Sequence, residues 1–76
     1  MPIPVKLFAS LRSRFGQEIS LDLNPPISVE RIAAALREQG SWTQGARIAV
    51  NFAFANDKDT VAPGDEVAVI PPVSGG

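Results

Sequence analysis

The clearest helix signature in this chain runs from Ser28 to Gly40, with short alternating segments on both sides of it. Ser28 is a good N-cap residue. Ile27 before it and Ile32 at the fourth helical position match a hydrophobic staple. Val29, Ile32, Ala33 and Leu36 recur at i, i+3, i+4 and i+7 and build one apolar face. Glu30, Arg31, Arg37 and Glu38 mostly occupy the other side, and Gly40 suits the C′ stop. One helix with one apolar stripe must bury that stripe against strands, which makes a two-layer α+β domain.

The flanking segments supply those strands. Ile3, Val5 and Leu7 alternate with Pro4, Lys6 and Phe8, and Ile19, Leu21 and Leu23 alternate with Ser20 and Asp22. The spacing pairs these two as an antiparallel hairpin. Between them, Ala9 to Phe15 suits a short helical turn stopped by Gly16. Asn24-Pro25-Pro26 breaks the sheet. Arg47 to Phe54 reads as one strand, with Ile48, Val50 and Phe52 on one parity. Val61 suggests a short fourth strand, Pro63-Gly64-Asp65 a turn, and Glu66 to Ile70 the last strand. The order is β, β, α, β, short β, β in one domain of 76 residues.

Composition excludes several kinds of chemistry. No cysteine is present, so neither a disulfide nor a side-chain persulfide is possible. Histidine is also missing, which removes the usual general base. A net charge of −1 argues against nucleic acid, whose binders carry clustered basic charge. The start, Met1-Pro2-Ile3-Pro4, lacks the basic region and long apolar run of a signal peptide, and a cytoplasmic location is expected. Asp57, Asp59, Asp65 and Glu66 lack the spacing of a calcium loop and read as solvated turn residues, so no metal site is expected. Trp42 reads as a loop anchor on the core and Asn51 as a strand-end hydrogen-bonder.

The ending, Pro71-Pro72-Val73-Ser74-Gly75-Gly76, points to a function. Two prolines cannot continue a sheet interior and project the chain outward. Two glycines then leave a terminal carboxylate on a thread that fits a narrow tunnel. Six extended residues reach roughly 20 Å at about 3.3 Å each. The expected division is a folded domain at 1–70 and an extended tail at 71–76 that buries little area. The Gly76 carboxyl is the expected reactive group.

Four segments together resemble a known family. They are Leu7-Phe8-Ala9-x-Leu11-Arg12, Ala49-Val50-Asn51, Gly64-Asp65-Glu66-Val67-Ala68 and Ile70-Pro71-Pro72-Val73-Ser74-Gly75-Gly76. In this combination the chain is similar to the small, sulfur-carrying subunit of molybdopterin synthase, in the MoaD/ThiS-like group of ubiquitin-like proteins. The likeness spans essentially the whole chain. One departure is Asn51-Phe52-Ala53-Phe54-Ala55-Asn56, which is more apolar than the family pattern.

The resemblance implies a β-grasp fold, with a mixed sheet packed on one main helix and a flexible C-terminal tail. It implies that an E1-like partner adenylates Gly76 using ATP and magnesium, and that a sulfur donor then leaves a thiocarboxylate there. No cofactor is expected to stay bound. The tail, with Gly75 next to the reactive end, would enter the large subunit, giving a heterotetrameric synthase. Sulfur would pass there to cyclic pyranopterin monophosphate. Catalytic groups are expected on the large subunit, and this chain is expected to donate sulfur without being a catalyst itself. A carrier for thiamine or another thiolation pathway, and a ubiquitin-like protein modifier, are the alternatives.

A partner surface is also expected. Phe8 and Ile70 oppose the parity of the inward sets Ile3/Val5/Leu7 and Val67/Val69, and Phe54 is expected to join them. Exposed apolar residues gathered on one sheet face mark such a surface. Arg12 lies near it and suits pairing with a partner carboxylate.

Overall fold

The computed structural model describes residues 3–72. Seven strands and two helices follow in order: β1 Ile3–Leu7, α1 Ala9–Phe15, β2 Glu18–Leu21, β3 Ile27–Ser28, α2 Val29–Glu38, β4 Arg47–Val50, β5 Ala53–Phe54, β6 Thr60–Val61 and β7 Val67–Ile70. The main sheet has the order β2-β1-β7-β4-β5, and β3 and β6 form a small separate ribbon. β1 and β7 run parallel at the centre, with antiparallel neighbours on both sides. This is the expected β-grasp arrangement.

Helix α2 forms where its sequence signals place it. The Ser28 hydroxyl accepts a hydrogen bond from the Arg31 amide at 3.1 Å. Two more first-turn amides find partners outside the helix: Val29 donates to the Asp59 carbonyl at 2.9 Å and Glu30 to the Asp57 carbonyl at 3.0 Å. The far end closes in a Schellman motif. Gly40 donates to Arg37 and Ser41 to Leu36, with Gly40 in the left-handed region at φ 79°.

The apolar stripe of α2 (Val29, Ile32, Ala33, Leu36) packs in one core with Ile3, Val5 and Leu7 of β1 and Val67 and Val69 of β7. Leu11 of α1, Leu21, Ile48 and Val61 complete it. Burying one such side chain contributes about 1.5–3 kcal/mol. The alternation in β1 is strict, with Ile3, Val5 and Leu7 buried and Pro4 and Lys6 exposed.

Two readings need correction. The stretch from Arg47 to Phe54 is not one strand but a hairpin, β4 and β5, pairing Ala49 with Phe54 and Val50 with Ala53. Asn51 and Phe52 form its two-residue turn, with φ values of 51° and 70°. Phe52 therefore leaves the parity of Ile48 and Val50 and stands 89% exposed. The turn has the two positive φ values of the type I′ form that matches strand twist. The second correction concerns Pro71, which is buried, while Pro72 is exposed. The tail thus begins on the domain surface and not clear of it.

Candidate functional site

Helix α2 covers one face of the sheet and leaves the other open. On the open face Lys6, Ala68, Ala49 and Phe54 lie in one register row across β1, β7, β4 and β5. Phe8, just past β1, and Ile70, at the end of β7, continue the face toward the tail. Their side chains and that of Phe52 wall a groove of about 210 Å³ floored by Ala49 and Ala68. Phe8 is 43% exposed and Phe54 55%. Such a cluster has no reason to face water on stability grounds, because apolar surface is driven to bury.

The structure thus brings together Phe8 and Ile70, expected from their parity, and Phe54, expected to join them. Arg12 is exposed on α1 and lines a neighbouring depression with Lys6 and Phe8, not the apolar groove itself. Two residues escaped the sequence reading. Phe52 joins the groove because the hairpin turns where a single strand was expected. Arg47 lays its guanidinium over the Phe54 ring at 4.0 Å, a cation–π contact that steadies the ring. The available signal for Arg47 was its parity with Ala49, which puts it on the open face.

Polar contacts frame the groove. Lys6 Nζ meets Glu66 Oε1 at 2.9 Å. The Glu66 hydrogen bond and charge hold the Lys6 ammonium above its usual pKa. Asn51 is the strand-end hydrogen-bonder expected, with more partners than one strand end would give it. Its amide donates to the Glu66 carbonyl at 2.8 Å, and its Oδ1 accepts from the Glu66 amide at 2.9 Å. Its Nδ2 donates to Asp65 Oδ1 at 3.1 Å. Asp65 Oδ2 also accepts from the Ala62 amide at 2.8 Å. That backbone bond and then the Asn51 bond lower the Asp65 pKa.

The remaining singled-out residues have structural roles. Asp59 Oδ2 accepts from the Asn56 amide, closing the 56–59 turn. Trp42 packs half-buried against the core, with the Arg37 guanidinium 5.2 Å from its ring centre. No helix among the described residues is long and apolar enough to cross a membrane.

The tail leaves from the central strand β7, at the end of the groove where Phe8 and Ile70 lie. Gly45 sits against this exit. A Cβ placed on Gly45 would lie 3.3 Å from two Pro72 ring carbons, and its φ of +86° is one that side chains rarely adopt. Val73, Ser74, Gly75 and Gly76 lie outside the described residues.

The profile of the ThiS family matches residues 5–76. The chain belongs to the ThiS family. No curated protein matches the sequence. Among solved structures, SAMP1 from Haloferax volcanii is 27% identical with a TM-score of 0.75, covering 100% of both chains. A second structure, of small archaeal modifier protein 1 from H. volcanii, is 24% identical at a TM-score of 0.69, over 95% of this chain and 98% of that one. The complex of subunits 1 and 2 of molybdopterin-converting factor from Helicobacter pylori contains a chain 24% identical at a TM-score of 0.70, with 100% of both covered. These likenesses agree on a ubiquitin-like β-grasp. The ThiS-family match spans the residues of the open apolar face and runs through Gly76.

Proposed function

We propose that this ThiS-family protein is the sulfur-carrying small subunit of a molybdopterin synthase. The observation that carries this reading is the apolar face of Phe8, Phe54 and Ile70 lying where β7 runs into Pro71. Docking on that face would aim the segment 71–76 into the partner. Phe8, Phe54, Ile70 and Arg12 form the docking set. Pro71, Pro72, Val73 and Ser74 act as the spacer, and Gly75 and Gly76 as the slender reactive end. The H. pylori complex, in which subunit 1 is paired with subunit 2, supports a large-subunit partner.

The chemistry needs no side chain of this protein. A terminal carboxylate has a pKa near about 3.5 and is ionised at neutral pH. It resists nucleophiles until one oxygen becomes part of a leaving group. An E1-like partner holding ATP and magnesium supplies that group. The Gly76 carboxylate attacks the α-phosphorus, pyrophosphate leaves, and an acyl-adenylate forms. A hydrosulfide equivalent then attacks the carbonyl carbon, and AMP departs with the activated oxygen. A thiocarboxylate remains. The large subunit passes its sulfur to cyclic pyranopterin monophosphate, and two such rounds build a dithiolene. The site of action is the cytoplasm, in a heterotetrameric synthase.

The likeness to SAMP1 favours a second reading, a modifier that joins Gly76 to lysines of other proteins. Deleting Gly76 tests the carrier reading. The variant should melt like the parent yet give no adenylate-dependent pyrophosphate exchange and no sulfur transfer. Retained transfer would overturn the proposal. Isopeptide remnants on cellular lysines, in place of dithiolene formation with a large subunit, would establish the modifier reading.

A further inference from the structure

The β4–β5 turn is built against ordinary preference. A two-residue hairpin with both φ values positive calls for Asn-Gly or Asp-Gly. Asn51 tolerates that conformation, but the second position is Phe52, at φ 70°. A bulky side chain there is strained and persists only where its surroundings enforce it. Phe52 is also 89% exposed, so its ring gains almost nothing from the core. Strain and exposure fall on the same residue, and its ring lines the groove with Phe8 and Phe54.

The enforcing contacts come from Asn51. Its backbone amide and side-chain carbonyl both engage Glu66, and its side-chain amide engages Asp65. These three bonds fasten the hairpin tip to the residues entering β7. Glu66 is held in turn by Lys6 of β1. The tip is thereby tied to both central strands of the sheet.

Resting on the docking reading above, we infer that Phe52 is an affinity anchor for the large subunit and that Asn51 is the positioning residue that presents it. An exposed aromatic residue whose backbone is already held in place loses less entropy when a partner pocket covers it, and anchors of this type carry much of an interface's affinity. The occupant is the apolar surface of the large subunit that covers the groove. Phe52 extends that contact beyond Phe8, Phe54 and Ile70, on the side of the face away from the tail.

The test is a double-mutant cycle read by calorimetric titration with the purified large subunit encoded in the same genome. Phe52→Ala should weaken binding about tenfold or more, the range of an anchor. Asn51→Gly keeps a residue suited to positive φ, so it folds, but removes the side-chain clasp. It should weaken binding about three- to tenfold and lower the order of the Phe52 amide in ¹⁵N relaxation. The double variant should bind like Phe52→Ala alone. Losses that simply add, or an unchanged Phe52 amide in Asn51→Gly, would overturn the positioning role. If Phe54→Ala weakens binding and Phe52→Ala does not, the anchor inference fails while the docking reading stands. If the parent protein does not bind the large subunit, the docking reading fails and this inference with it.

Discussion

Phe8→Asp separates docking from folding, because its two effects differ in size and can be worked out from burial. Phe8 is 43% exposed, so a little over half of its surface is already covered within the domain. Full burial of such a side chain is worth about 1.5–3 kcal/mol. Losing the covered part costs the fold about 0.9–1.7 kcal/mol. The first turn of α1 carries no acidic residue. An aspartate at its N-terminal end restores about 0.3–1 kcal/mol through the helix dipole. The net loss of stability is therefore about 1.4 kcal/mol at most, a fall of no more than roughly 11 °C in Tm for a domain of this size.

Binding should suffer more. The exposed part of Phe8 is what a partner covers, worth about 0.6–1.3 kcal/mol. Forcing an unpaired aspartate into that contact adds about 1–3 kcal/mol of desolvation. The total of about 2–4 kcal/mol is roughly 30- to 1,000-fold in Kd. Titration against the large subunit, with Tm measured in parallel, reads both quantities. Unchanged affinity in a folded variant would refute the docking role, and a collapsed variant would place Phe8 in the core.

Two further predictions concern the tail exit and the groove margin. Gly45→Ala should lower stability by about 1 kcal/mol through the positive φ and shift the Pro72 ring signals in an NMR spectrum, since the new methyl meets that ring; unperturbed Pro72 signals would contradict the packing described. Asp65 has a folded pKa below its ordinary 3.8, so its contribution is fully present above that value and is lost as pH falls through the lower folded value. The stability gap between the parent and Asp65→Asn, followed by urea midpoints, should thus close in acid; a gap constant from neutral pH to acid would refute the Asp65 bonds.

The sequence exposes those parts of the fold that rest on local patterns. The cap at Ser28, the stripe through Leu36 and the stop at Gly40 are local chemistry, and α2 follows them to within a residue or two. The parity of Phe8 and Ile70 against their strands was enough to place both on the open face. Phe52 was hidden because its turn lacks the glycine that announces a type I′ hairpin. Asn51 carried only half of that signal. The clasp that enforces the turn reaches Asp65 and Glu66, 14 and 15 residues away. The β3–β6 ribbon pairs only two residues of each strand, too few to show alternation. Burial of Pro71 depends on the tertiary surroundings of the β7 exit, and no neighbouring residue signals it.

Intact mass spectrometry tests the sulfur-carrier account most directly. The protein is incubated with its adenylating partner, ATP, magnesium and hydrosulfide, then weighed and digested. The account predicts a gain of about 16 Da, one oxygen exchanged for sulfur, confined to the peptide ending at Gly76, because without cysteine no side chain can hold a persulfide. The gain should vanish when the large subunit and the pterin precursor are added. No gain beside a partner shown to adenylate, or a gain mapping to internal residues, would contradict it.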